Sequence, residues 1–203
     1  MNWLRPPGPI ASGLRIGLLG GSFNPAHDGH LYVSEVARRR LGLDYVWWLV
    51  APQNPLKPPE DMAPLAKRLA AARALAGRDR RLIVTDIERS LGTRYTIDTL
   101  KALTRRFRGV RFVWLMGSDN LDQFHRWRRW TDIARLVPIA VVERPGSLLA
   151  PLRAKAMQRL AASRTQKLRP PPAIIVVDGR RNEASATAIR NSQGKFPQRS
   201  VWQ

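Results

Sequence analysis

The densest group of chemically capable residues lies at Gly20–His30, which reads GGSFNPAHDGH. Two imidazoles, His27 and His30, stand three residues apart around Asp28 and Gly29, so if Asp28 opens a helix both rings fall on one face of its first turn. Gly20 and Gly21 carry no Cβ, which permits a sharp turn and a close approach of the main chain to a ligand. A helix starting here also turns unpaired N–H groups toward an anion. The chemistry this suits is the grip of a phosphate between main-chain amides and two imidazole donors. The segment has neither the glycine spacing of a dinucleotide fingerprint nor the Lys-Ser/Thr ending of a P-loop, so a hydride-transfer reading loses support. Zinc lacks a third ligand, because His125 is the only other histidine and there is no cysteine; no protein metal site is expected. The plain alternative is that the two histidines only cap a helix.

Such a loop needs a scaffold. Short apolar runs of strand length occur at Leu14–Leu19, Tyr45–Val50, Leu82–Val84, Phe112–Met116, Ile139–Val142 and Ile174–Val177, nearly all continuous, as parallel strands buried on both faces require. Between them, helical periodicity and propensity mark Leu31–Leu41, Leu65–Ala76, Thr96–Phe107 and Leu152–Ala162. The alternation predicts an α/β fold, a doubly wound, mostly parallel sheet with helices on both faces, and ligands beyond the carboxyl ends of the strands where the strand order reverses. With 203 residues, 44% of them hydrophobic, the chain is expected to form one domain over residues 14–203, preceded by a flexible N-terminal extension over residues 1–13.

The formal charge of +20 points to a polyanionic partner: nucleotide, nucleic acid or an acidic membrane face. The arginine groups Arg38–Arg40 and Arg105, Arg106 and Arg108 read as solvated helix faces, since no aromatic platform is interleaved, and nucleic acid is not the expected partner. No apolar run approaches the length of a membrane span, and PPGP stands where a secretory leader would carry its apolar core. Together with the absence of cysteine, this gives an expectation of a cytoplasmic protein with no membrane partner. The sequence leaves a homo-oligomer open.

Other segments carry readings of their own. In SATAIR, Ser185 and Thr187 stand where a helix should begin and Arg190 lies three residues beyond Thr187 on nearly the same face, either a second phosphate clamp or a helix cap with a surface arginine. Asp119 of GSDN follows an apolar strand, where a carboxylate can accept from ribose hydroxyls or cap the next helix. Trp127 in FHRWRRW offers a flat ring for stacking on a heteroaromatic base. Tyr95 and Thr96 open a helix whose free N–H groups favour a carboxylate. Lys57, in the Pro-bounded QNPLKPP loop, reads as a mobile cation able to close over phosphate, and Arg144, after the fifth apolar run, reads by itself as a surface residue.

GGSFNPAHDGH resembles the GxFxPxHxGH signature of the nucleotidyltransferase superfamily, and the ordered motifs RYTIDTL (94–100), FVWLMGSDN (112–120), Trp127, VERPG (142–146) and SATAIRN (185–191) resemble the bacterial nicotinate-mononucleotide adenylyltransferases within it. The resemblance runs from Leu14 to about Asn191 and implies a Rossmann-like fold. It also implies transfer of AMP from ATP to nicotinate mononucleotide, giving nicotinate adenine dinucleotide and pyrophosphate, with Mg²⁺ carried mainly on the ATP phosphates. On that resemblance His27, His30, Lys57 and Arg190 are catalytic; Gly20, Gly21, Ser22, Phe23, Gly29, Asp119, Ser185 and Thr187 bind ATP; and Tyr95, Thr96, Trp127 and Arg144 bind the acceptor. Leu56 stands where the commoner pattern has a histidine before the basic residue, which weakens the role of Lys57. The alternatives are adenylyl transfer to nicotinamide mononucleotide or phosphopantetheine and, from another class, a basic nucleic-acid-binding protein.

Overall fold

The computed structural model describes residues 5–53, 62–143 and 154–179. Among them, six strands, β1 (Arg15–Gly21), β2 (Tyr45–Val50), β3 (Leu82–Thr85), β4 (Arg111–Gly117), β5 (Ile139–Val142) and β6 (Ile174–Val177), form one parallel sheet in the order β3-β2-β1-β4-β5-β6. The described helices are α1 (Asp28–Leu41), α2 (Leu65–Ala76), α3 (Ile87–Leu91), α4 (Thr96–Arg106), α5 (Ser118–Phe124), α6 (Trp130–Leu136) and α7 (Lys155–Arg159).

Side-chain alternation along the strands splits the core into two layers. Trp47 and Leu49 of β2 and Phe112, Trp114 and Met116 of β4 pack with α4, α5 and α6 on one face. Val46, Trp48 and Val50 of β2 and Val113 and Leu115 of β4 pack with α1 and α2 on the other. Both faces are therefore covered, which is why these strands read as unbroken apolar runs rather than as alternating ones. The strand order reverses between β1 and β4: β1 leads into α1 on one face and β4 into α5 on the other. A crevice opens at that point by construction of the fold.

Two elements depart from the expected boundaries. The helix expected over Leu152–Ala162 is, where described, the short α7 followed by a 3₁₀ turn at Ala161–Ser163, because Leu160 leaves helical geometry (φ −100, ψ 18) while packing on the core. At the other end of the chain, residues 5–13 run against the body: Gly13 N–H donates to the Gly109 carbonyl (2.8 Å), and a Cβ on Gly8 would stand 2.2 Å from Ile83.

Candidate active site

Beyond the carboxyl ends of β1 and β4 lies a cavity of about 720 Å³. The segment Gly20–His30 forms one wall, the start of α4 another, and Asp119 and Trp127 a third. The turn after β1 is not made by glycine as the sequence suggested. Gly20 and Gly21 are still strand residues, paired with Leu49 and Val50, and the positive φ falls on Phe23 (φ 49). Gly20 is needed for a different close approach: a Cβ there would stand 2.3 Å from Cη2 of Trp114. A left-handed phenylalanine stores strain that the surroundings must hold in place. Phe23 is 1% exposed and stacks between Trp48 (5.2 Å) and His30 (4.5 Å).

Asp28 does open α1, with His27 as its N-cap residue. Gly29 N–H donates to His27 Nδ1 (3.2 Å) and His27 N–H to His30 Nδ1 (3.2 Å), a capping box built from two imidazoles. The capping alternative is thus realised, and it does not compete with ligand binding, because each ring uses only Nδ1 for it. The ring centroids are 4.0 Å apart and both rings line the cavity. Behind them, Trp48 Nε1 donates to Ser34 Oγ (2.7 Å), which donates to the His30 carbonyl (2.8 Å). A column of rings thus runs from the fully buried Trp48 through Phe23 to the imidazoles, and packing sets where they point.

On the opposite wall, Tyr95 is the N-cap residue of α4 and Thr96 its first residue, with no side-chain cap occupying the free amides. Trp127 is half-buried and meets Trp114 (5.9 Å) and Phe124 (5.4 Å) edge to face. Asp119, in the first turn of α5, is exposed on the cavity wall. Ser22 and Gly29 line the same space.

A family model described as cytidylyltransferase-like matches residues 18–192. A relative from Parvibaculum lavamentivorans, named "probable nicotinate-nucleotide adenylyltransferase", is 52% identical over 193 residues, covering 91% of this chain and 95% of the relative. The chain belongs to the cytidylyltransferase-like family, among the nicotinate-nucleotide adenylyltransferases. A relative of the same name from Methylorubrum extorquens (strain PA1) is 52% identical over 184 residues, 87% of this chain and 99% of its own. Among solved structures, the nicotinic acid mononucleotide adenylyltransferase of Plasmodium falciparum, complexed with NaAD, superposes with a TM-score of 0.62 over 81% of this chain and 75% of that one. At 16% identity that likeness is one of fold.

In this member of the family the cavity gathers His27, His30, Gly20, Gly21, Ser22, Phe23, Gly29, Tyr95, Thr96, Asp119 and Trp127. Lys57, Arg144, Ser185, Thr187 and Arg190 lie outside the described residues. Two further residues bear on the site without having been singled out from the sequence. Glu88 of α3, 8% exposed, lines the cavity floor and accepts from Thr99 Oγ1 (2.9 Å). Burial pushes its pKa up to about 7, against the smaller opposing effect of the Thr99 bond.

Arg68 of α2 is the other. It is 3% exposed, and burial pulls its pKa below the usual arginine value. Its guanidinium donates to four carbonyls: Ser22 (2.7 Å), Ala51 (2.7 Å), Pro52 (2.9 Å) and Ala63 (2.8 Å). It thereby ties the histidine loop to the end of β2 and the entry to α2. Its place on the buried stripe with Ala72 and Ala76, at i, i+4 and i+8, was the available signal. Arg68→Met strands all four acceptors and is expected to cost about 3 kcal/mol or more in urea unfolding, with Arg68→Lys, which keeps the charge but not the fork, falling between.

Proposed function

We propose that this chain transfers the adenylyl group of ATP to nicotinate mononucleotide, releasing pyrophosphate and forming nicotinate adenine dinucleotide. The observation that carries the reading is that one cavity at the β1–β4 switch brings together a pair of imidazoles, the uncapped start of α4 and the Trp127 ring. The names of the relatives and the fold of the neighbouring structures support it.

The acceptor's phosphate oxygen attacks the α-phosphorus in line while the bond from that phosphorus to the bridging oxygen of the pyrophosphate breaks. The attacking oxygen is already ionised near neutral pH, so the protein's work is alignment and stabilisation of charge on the transferring and leaving oxygens. The capping box prepares His27 for this: with Nδ1 accepting the Gly29 N–H, its neutral ring carries its proton on Nε2 as a donor for phosphate, whereas His30 Nδ1 lies 3.2 Å from both the main-chain N and the carbonyl oxygen of His27, so either of its ring nitrogens can carry the proton. Lys57 and Arg190 are assigned to the same anion, Ser185 and Thr187 to the ATP phosphates, and Arg144 to the acceptor. Asp119 is assigned to ribose hydroxyls, Trp127 to stacking on the pyridine ring, and Tyr95 and Thr96 to its carboxylate.

Mg²⁺ is assigned to the ATP phosphates, where it would neutralise the charge of the departing pyrophosphate. The expected location is the cytoplasm; no described helix is long and apolar enough to cross a membrane. Turnover should be compared on nicotinate mononucleotide, nicotinamide mononucleotide and phosphopantetheine at saturating ATP, reading pyrophosphate release. The nicotinate substrate is expected to show the highest kcat/KM. A preference for phosphopantetheine, or no release with any acceptor, overturns the reading.

A further inference from the structure

We propose that Arg128 sets the preference for an acid over an amide on the pyridine ring, by presenting an unpaired guanidinium at the aromatic lip of the acceptor end of the cavity. The inference rests on the acceptor reading above and goes beyond it by naming the charge that discriminates. The uncapped start of α4 is a weak discriminator by itself. A carboxamide oxygen accepts from a main-chain N–H as a carboxylate oxygen does, so what separates the two groups is full charge.

Three arginines, Arg94, Arg126 and Arg128, line this cavity. Arg128 directly follows Trp127, and its Cζ lies 4.7 Å from the centroid of the Tyr95 ring, whereas that of Arg94 lies at 6.0 Å. Arg128 therefore joins the two elements assigned to the acceptor, the segment carrying the stacking indole and the residue that opens α4. A guanidinium lying on a ring face keeps its N–H groups directed outward in its own plane, free to meet a carboxylate edge-on. Among the described residues Arg128 has no hydrogen-bond or ion-pair partner, in contrast to Arg129, one residue on, which is paired with Asp132 (2.6 Å). The side chain is exposed, so its charge acts locally and over a short distance.

The test is the ratio of kcat/KM for nicotinate over nicotinamide mononucleotide in the wild type, Arg128→Gln, Arg128→Lys and Arg94→Gln. Arg128→Gln is expected to lower the ratio about tenfold, through a higher KM for the acid with kcat and the KM for ATP little moved, which corresponds to one exposed charge-assisted contact. Arg128→Lys, which keeps the charge, is expected to recover part of the loss. An unchanged ratio, equal losses on both acceptors, or a drop carried by Arg94→Gln instead each overturns the assignment to Arg128. Failure of the acceptor reading is distinct: there the wild type itself turns over neither pyridine nucleotide.

Discussion

Replacing His30 by alanine is expected to slow dinucleotide formation about 100- to 1,000-fold, the usual cost of removing one preorganised donor from a developing oxyanion. The stability cost should be far smaller. His30 accepts the His27 N–H and stacks on Phe23, so its loss removes part of a cap and a ring contact, each worth about 1 kcal/mol. The two effects separate in a second variant. Glutamine at this third helical position can still reach back to the N-cap amide, as capping boxes with Ser or Thr at N-cap do, yet it does not place a donor where the imidazole Nε2 stands. His30→Gln should therefore melt close to the wild type and remain as slow as His30→Ala. Thermal unfolding and steady-state pyrophosphate release check the pair. A glutamine variant with near-normal turnover would reduce His30 to a cap and remove it from the mechanism.

The contrast between the histidines and the residues behind them shows what the sequence made legible. The strands could be read because a sheet covered on both faces needs unbroken apolar runs, and β2, β5 and β6 run from the first to the last residue of theirs. The site loop was legible because its two histidines are close in sequence and a helix start constrains both. What stayed hidden depends on residues distant along the chain. That Gly20 makes room for Trp114 follows only from pairing β1 beside β4. The column from Trp48 to His30 joins three separate elements. Arg68 looked like one more basic residue in a chain with 35 Lys and Arg, and only the packing of α2 against the loops at the ends of β1 and β2 gives it four carbonyl partners. Glu88 sits in a helix of five residues, too short for a periodic signal to mark it as buried.

That glutamate gives the second large effect. A carboxyl whose pKa is raised from 4.5 to about 7 on folding binds its proton more tightly in the native state. The native advantage is complete below the unfolded pKa, declines as pH rises from about 4.5 to 7, and leaves the folded state carrying a buried charge above that. The difference corresponds to about 3 kcal/mol. Glu88→Gln keeps an acceptor for Thr99 Oγ1 and has no charge to bury. The variant should match the wild type in urea unfolding near pH 4.5 and exceed it by up to about 3 kcal/mol at pH 8, so the difference between the two proteins grows across that window. Thr93 Oγ1 and Thr99 Oγ1 are 2.8 Å apart, and with Thr99 donating to Glu88, Thr93 donates to Thr99, forming a chain of hydroxyls directly behind Tyr95 and Thr96. Glu88 is the terminal acceptor of that chain, so its carboxyl ties α3 to α4 through Thr99. If stability differences between wild type and Glu88→Gln stay constant from pH 4.5 to pH 8, the glutamate does not titrate in this range and the account of its burial is wrong.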